Sequence, residues 1–452
     1  MTGLYEPLFR HVLFPAYESG MRGRKTLAYL REYERQQWLE PEQIDALQWQ
    51  KLQRLLRHCW DHVPYYRQTW SALGIAGPED IRDRAHFARL PVLDKPTIRA
   101  HFERLIADAY RPELLYKTTG GSTGEPLKFG YTRESYERRV AIMWRGYGWA
   151  GARLGQRTLY LWGTPIGAQK RKDRLFHGAF NRRMLNAFEM DRARMAEYAD
   201  AIDRFRPETI VSYVAPIVEM ADWLVASGRR VHAPARILGA AEALHEGQKR
   251  RIEQAFGAPA YNTYGCREFM LIAAECEHRD GLHVNADHLM VELGHDGDAG
   301  APADGPRELV VTDLHNFGMP LVRYVNGDLA TAGHGRCACG RGLPRVARVD
   351  GRKLDALRTP DGRFVPGEYV VYAFLYATGI RRYQVVQKQL DAFDILLVPD
   401  EGFDASVIEL VRKELVKVVG DSVALNFRLT DEIPLTPSGK QRVTVSELGN
   451  PH

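Results

Sequence analysis

Between Thr158 and Gly265 short apolar runs alternate with amphipathic segments, and this rhythm constrains the fold more than any other feature. Thr158-Leu159-Tyr160-Leu161-Trp162-Gly163, Thr209-Ile210-Val211-Ser212-Tyr213, Ala235-Arg236-Ile237-Leu238-Gly239-Ala240 and Ala260-Tyr261-Asn262-Thr263-Tyr264-Gly265 have the length of buried strands. Segments of helical pattern separate them, Met190 to Phe205, Ala215 to Ser227 and Glu246 to Phe256, with Gly257 placed to stop the last. Strands alternating with helices of this length predict a largely parallel α/β sheet whose ligand lies beyond the strand carboxyl ends. Those ends carry Trp162-Gly163, Gly239-Ala240-Ala241-Glu242 and Tyr264-Gly265-Cys266-Arg267-Glu268.

Upstream, Tyr29 to Trp60 reads as helix, with Leu52, Leu55, Leu56 and Cys59 as a core stripe and Pro64 closing the run. Thr97 to Leu105 and Glu134 to Trp149 read as further helices. Between these two lies Tyr116-Lys117-Thr118-Thr119-Gly120-Gly121-Ser122-Thr123-Gly124-Glu125-Pro126, a run of hydroxyls and glycines with almost no apolar content. Glycine lets backbone approach a ligand closely, and hydroxyls beside backbone N–H groups suit phosphate oxygens. No Gly-Lys-Ser/Thr closes the run, so it is not a Walker A loop. Leu114 to Thr118 and Lys128 to Tyr131 bracket it as strands, whereas a Walker or Rossmann loop opens a helix. Alone, the run fits a solvated turn equally well.

After Glu268 short strands at Val291 to Leu293, Glu308 to Thr312 and Leu321 to Tyr324 alternate with Gly/Asp-rich turns, predicting an antiparallel subdomain. Gly351-Arg352 marks a boundary. Beyond it the order is strand, helix (366–377), strands (382–387, 392–398), helix (405–418) and strand (425–429). The expected organisation is therefore an α/β protein with a large domain over 1–350 and a small mobile α+β domain over 351–452.

A formal net charge of +5 on 452 residues does not argue for nucleic acid. No apolar run reaches the ~20 residues that span a bilayer. The N-terminal segment mixes Glu6, Arg10 and His11 with apolar residues, unlike a signal peptide. Five cysteines, an odd number, do not suggest a disulfide framework, and a cytoplasmic protein is expected.

Five elements stand in order along the chain: Thr118 to Pro126, Gly239 to Glu242, Tyr264 to Glu268, Arg323-Tyr324-Val325-Asn326-Gly327-Asp328 followed by Gly351-Arg352, and Pro434-Leu435-Thr436-Pro437-Ser438-Gly439-Lys440. Together they resemble the adenylate-forming (acyl-CoA synthetase) superfamily, in its phenylacetate–CoA ligase-like branch with members associated with capsular polysaccharide (CapK-type). His58 to Arg67 and Leu93-Asp94-Lys95 are similar to that branch as well. The resemblance implies ATP-dependent activation of a carboxylic acid, aryl or related, to acyl-AMP, then transfer to a thiol, with CoA the expected acceptor. A carrier-protein thiol, an amine, or a non-catalytic nucleotide-binding role are the alternatives. It implies that Thr118, Thr119, Gly120, Gly121, Ser122, Thr123 and Gly124 hold the ATP phosphates, and that Gly239, Ala240, Ala241 and Glu242 edge the adenine. Tyr264, followed by Gly265, flanks the adenine, Glu268 holds Mg2+, Asp328 binds the ribose and Arg352 lies near ribose and phosphate. Lys440 reaches the α-phosphate and carboxylate, so Lys440, Glu268 and Thr119 are the expected catalytic residues. The expected partners are a small carboxylic acid, ATP and CoA. A carrier protein or a second copy of the chain stays open, and neither nucleic acid nor membrane insertion is expected. Two positions depart from the superfamily: Leu354 stands where a hinge Asp or Lys is common, and Arg267 where Thr or Ser precedes the carboxylate. Arg267 fits a contact to a substrate anion or a surface ion pair. Trp144, Tyr147, Trp149, Trp162 and Tyr213 fit either an acid pocket or core.

Cys59 reads as core and Cys266 as a small buried filler or pocket residue. Cys337-Ala338-Cys339-Gly340 is a thiolate pair on a glycine turn, and Cys276 with a histidine completes a tetrahedral set for structural Zn2+, as in some members of that branch. His283 is the expected nitrogen ligand because one residue between Cys276 and His278 is cramped. Free thiols are the alternative.

Overall fold

The hydroxyl and glycine run is flanked by a hairpin: β1 (Leu115–Thr118) and β2 (Lys128–Tyr131) pair antiparallel, with Thr118 opposite Lys128. The computed structural model describes residues 2–119, 127–162, 176–187, 190, 194–294, 305–352, 357–360, 364–365, 370, 373–374, 377–434 and 442–448. Among these, the alternating segments form a parallel array of β3 (Thr158–Trp162), β4 (Arg182–Asn186), β5 (Thr209–Tyr213), β6 (Arg236–Ala240) and β7 (Ala260–Tyr264). Its spatial order is β4-β3-β5-β6-β7. Strand β4, Arg182-Arg183-Met184-Leu185-Asn186, has no apolar run and is not expected from the sequence; its parallel pairing with β3 makes it a half-buried edge.

Helices cover both faces. The helices used below are α1 (Thr26–Gln36), α2 (Pro41–His62), α3 (Arg133–Trp149), α4 (Met195–Phe205), α5 (Val214–Ser227) and α6 (Glu246–Phe256). Leu159, Leu161, Ile210 and Ile237 bury one face under α4, α5 and α6. The alternate residues Tyr160, Trp162, Val211 and Leu238 meet Tyr147 and Ala150 on the other. This is the period-two alternation of a sheet buried on both sides. Gly228 and Gly257 end α5 and α6 at φ of 66° and 63°, left-handed values that favour glycine.

The sequence reads a single helix through Tyr29 to Trp60, but the structure breaks it between Gln36 and Pro41. The Glu40 N–H donates to Gln43 Oε1 at 3.0 Å and the Gln43 N–H to the Glu40 carbonyl at 2.9 Å, and Pro41 occupies the first helical position, where a missing N–H costs nothing. The helix expected at Thr97 to Leu105 likewise splits into Lys95–Ala100, capped by Asp94, and a 3₁₀ turn at Phe102–Leu105.

The antiparallel strands are not detached. β8 (Ala273–Glu275) pairs with β7, and β9 (Leu282–Val284), β10 (Leu289–Leu293), β11 (Arg307–Asp313), β12 (Tyr324–Ala332) and β13 (Arg345–Arg352) follow. One eleven-stranded sheet results, in the order β10-β11-β12-β13-β9-β8-β7-β6-β5-β3-β4. The strand expected from Leu321 starts only at Tyr324, because Arg323 at φ 52° is left-handed and breaks the extended run. Two buried ion pairs fix α3 on this half: Arg139 to Asp313 at 2.7 Å, and Arg145 to both oxygens of Asp287 at 2.5 and 2.7 Å. Cutting one partner would leave a buried charge uncompensated.

The C-terminal residues build their own apolar core around Val385, Phe393, Ile395, Leu397, Val411 and Leu415. After a two-stranded β14 (Leu357–Arg358) and β15 (Phe364–Val365) come β16 (Ile380–Gln389), β17 (Ala392–Pro399), β18 (Ala424–Leu429) and β19 (Thr444–Ser446), ordered β18-β17-β16-β19. Helix α7 (Ser406–Val419) joins β17 to the parallel β18. The helix expected over 366–377 falls largely outside the described residues. Among the described residues no helix is long and apolar enough to cross a membrane.

Candidate functional site

The carboxyl ends of β6 and β7 lie side by side, with Gly239 opposite Asn262. The Thr263 hydroxyl donates to the Gly239 carbonyl at 2.8 Å, and Glu242 accepts from the Ala215 N–H at the start of α5 at 2.7 Å. Ala241, between them, sits at φ 68°, where a non-glycine residue is strained. Gly265 is required by space: a Cβ there would lie 1.8 Å from the Met270 carbonyl oxygen. The chain therefore turns sharply after Tyr264 and brings Glu268 back beneath the strand end.

Strand β12 meets this turn from the side. Tyr264 Oη donates to Asp328 Oδ2 at 2.8 Å, and Asn326 Nδ2 reaches Tyr264 Oη at 2.6 Å and Asp328 Oδ2 at 2.9 Å. The Asp328 N–H donates to Asn326 Oδ1 at 3.0 Å, so the two residues brace one another. Tyr324 Oη donates to Glu268 Oε1 at 2.9 Å, and Glu268 is 4% exposed. Burial first, then the neighbouring carboxylates, push both phenols well above their ordinary value: Asp328 for Tyr264 and Glu268 for Tyr324. Each phenol stays protonated and holds its carboxylate as an acceptor. The Cys266 thiol is pushed up by burial, then by Glu268 and Asp328, so it is no nucleophile here. Arg352 pairs with Asp328 across β12 and β13 in backbone register.

Of the hydroxyl and glycine run the structure describes the neck. Thr119 N–H donates to the Leu127 carbonyl at 2.9 Å, and Leu127 N–H to Thr119 Oγ1 at 2.9 Å. Arg267 Nη1 donates to the Thr118 carbonyl at 2.9 Å, linking the neck to the Tyr264-to-Glu268 turn. Gly120, Gly121, Ser122, Thr123 and Gly124, Leu354, Lys440 and the Arg352 side chain lie outside what the structure describes.

The expected aromatic set divides. Trp162 and Tyr213, at the ends of neighbouring strands, have ring centres 4.1 Å apart, with Tyr147 on the same face. Trp144 instead packs edge-on against Phe14, and Trp149 donates to Gln37 Oε1 at 2.7 Å with its ring edge-on to His283.

The other cluster lies at the far end of β12 and β13. The ligand atoms of Cys276, His283, Cys337 and Cys339 all lie within 4.8 Å of one another. Cys276 Sγ is 3.7 Å from Cys337 Sγ, and Cys339 Sγ is 3.3 Å from His283 Nε2. His283 Nδ1 faces the Leu343 carbonyl at 3.4 Å, an outer-sphere arrangement that orients a metal-binding imidazole. Burial pushes His283 down to about 4, leaving a neutral ring. Burial opposes ionisation of Cys339, and hydrogen bonds from the backbone and side chain of Arg341 outweigh it, lowering its pKa. Three sulfurs and one imidazole are a four-coordinate zinc set, and the observed spacing fits such an ion. His278 is not in the group. The carrying turn docks on the α1–α2 junction through Gly342 N–H to the Gln37 carbonyl at 3.0 Å.

Sequence reasoning named the motif around Asp328 but missed Tyr324 and Asn326 as the groups that hold the two carboxylates. The Asn-Gly-Asp spacing was the available signal, since an Asx side chain readily braces backbone two residues on.

Residues 357–447 match the CapK C-terminal domain. The chain is 25% identical over 437 residues to a phenylacetate-coenzyme A ligase of Thermus thermophilus, covering 89% of this chain and 96% of that protein. It is 24% identical over 442 residues to protein CapK of Staphylococcus aureus, covering 95% and 94%. Among solved structures it is similar to 2-hydroxyisobutyryl-CoA ligase in the postadenylation state, with TM-score 0.74, 19% identity and 92% of each chain covered. The chain has the fold of adenylate-forming acyl-CoA ligases, matches the CapK C-terminal domain over its last part, and is similar along its length to a phenylacetate–CoA ligase and to CapK.

Proposed function

We propose that the protein is an AMP-forming carboxylate ligase. A carboxylate oxygen attacks the α-phosphorus of ATP, the bond to the β-phosphate oxygen breaks, and pyrophosphate leaves. A thiol, that of CoA, then displaces AMP from the acyl carbon. The observation that carries this reading is the Tyr264–Asp328–Asn326 and Tyr324–Glu268 arrangement at the strand ends of a fold shared with acyl-AMP-bound ligases. Asp328 offers its carboxylate to the ribose hydroxyls and Tyr264 its ring to the adenine. Glu268, buried and oriented by Tyr324, would hold Mg2+, which when bound neutralises phosphate charge. The loop from Thr118 to Gly124 supplies N–H and O–H donors, and Lys440 stabilises charge at the reacting phosphate and carboxylate. Paired Trp162 and Tyr213 rings support an aryl or related organic acid. The Cys276, His283, Cys337 and Cys339 set would hold a structural Zn2+, with no open position for chemistry. ATP and CoA are cytoplasmic pools, which fits a cytoplasmic enzyme.

Pyrophosphate exchange into ATP across a panel of aryl, hydroxy and short-chain acids tests the first half-reaction. AMP release with CoA, compared with amines and carrier proteins, tests the second. No exchange with any acid would sink the proposal. AMP release with an amine and not with CoA would change the acceptor.

A further inference from the structure

Between Lys117 and Lys128 the glycine loop contains no basic residue and one acid, Glu125. A loop of that composition offers N–H and O–H donors but no positive charge, and a phosphate chain needs charge from elsewhere. Two cations stand at its neck. Arg267 spends one guanidinium N–H on the Thr118 carbonyl at 2.9 Å and is exposed, and a guanidinium carries four further donors. Lys117 Nζ lies 5.3 Å from the ring centres of both Tyr131 and Tyr136, which hold it in place. Neither has an ion pair to a carboxylate among the described residues. The charged groups that act on Lys117 are Arg139 and Arg267, both cations; desolvation first, then these two, lower its pKa. Arg139 is itself neutralised by Asp313 at 2.7 Å. Arg267 thus bonds the residue next to Lys117, and the two are like charges with no carboxylate partner among the described residues, one residue from the loop and one residue from Glu268.

We infer that Lys117 and Arg267 form the cationic seat for the β- and γ-phosphates of ATP and for the departing pyrophosphate, supplying the charge that the loop lacks. The inference rests on the proposed adenylation reaction. Arg267 does so where the superfamily commonly has Thr or Ser, which adds a charge as well as a donor.

Calorimetric titration of the full-length protein with magnesium pyrophosphate, and separately with AMP, tests it. Lys117→Ala and Arg267→Ala should each weaken pyrophosphate binding about tenfold, the loss expected for one charge-assisted contact. AMP binding should stay within about twofold, because AMP has no β-phosphate. In the exchange assay KM for pyrophosphate should rise more than kcat falls, and Lys117→Arg and Arg267→Lys should restore most of the affinity. Unchanged pyrophosphate affinity in both alanine variants overturns the inference, as does an equal loss of AMP and pyrophosphate binding, which would make the pair only an anchor for the loop. If Arg267→Ala fails to fold, Lys117→Ala, which removes an ammonium standing over two ring faces, carries the test. Absence of AMP and ATP binding in the unaltered protein, with no exchange for any acid, is a separate failure, that of the adenylation reading.

Discussion

The β12–β13 hairpin carries a different chemistry at each end. At the open end Asp328 stands in register with Arg352, and its carboxylate takes donors from Tyr264 and Asn326. At the turn end two thiols face each other at 3.7 Å and a third faces an imidazole at 3.3 Å. The first end is satisfied by protein groups alone, as buried polar groups normally are. The second gains little from its own contacts, because S–H is a weak donor and sulfur a weak acceptor. A polar cluster complete without a ligand is preorganised to receive one, whereas a donor set that lacks its own satisfaction is finished by an ion. The open end should therefore answer to mutation in activity, and the turn end in stability.

The comparison breaks first at the residues proposed to stabilise charge. Lys440→Ala and Glu268→Ala should each lower pyrophosphate exchange roughly a hundred- to a thousandfold, the scale for removing one group that stabilises transition-state charge. Full exchange in either variant removes the assigned role. Next, Gly265→Ala forces a Cβ against the Met270 carbonyl, and should cost about 3 kcal/mol in denaturant unfolding as well as displacing Glu268. A variant as stable as the parent would show that the turn relaxes freely.

Cys337→Ser sharpens the contrast from the other end. Stoichiometric zinc, measured by metal analysis, should be lost together with about 2–4 kcal/mol of stability. AMP affinity of the folded fraction should change little. Loss of AMP binding without unfolding would mean that the two ends act as one unit. The smallest effect is expected of Tyr264→Phe, which removes one hydrogen bond to Asp328 and keeps the ring. AMP affinity should fall by a factor of about five, near 1 kcal/mol. A hundredfold loss would show that the phenol itself touches the nucleotide.

The sequence made the parallel strands legible because each is a short apolar run between helical segments, and it made the motifs legible because each is contiguous. What it hid was non-local. Strand β4 with Arg182 and Arg183 has no apolar period to detect, and exists because β3 offers an edge. The break at Glu40 is decided by the Gln43 side chain capping the Glu40 N–H and by Pro41 behind it, over an otherwise helical pattern. That β8 joins β7, making one sheet of both halves, depends on pairing across the Gly265 turn. Of the site, Asp328 and Glu268 were readable as residues, but their dependence on Tyr264 and Tyr324 needed β12 brought to the end of β7. Chain spacing favoured His283 over His278, and the structure places the His283 ring in the cluster.

Strand β13 ends at Arg352, and the C-terminal residues begin immediately beyond it. At its other end Arg345 and Val346 pair with His283 and Leu282 of β9, so the strand is held between two neighbours as a fixed mount. Asp328, opposite Arg352 on the neighbouring strand, therefore has its aim set by the sheet itself, before any ligand arrives.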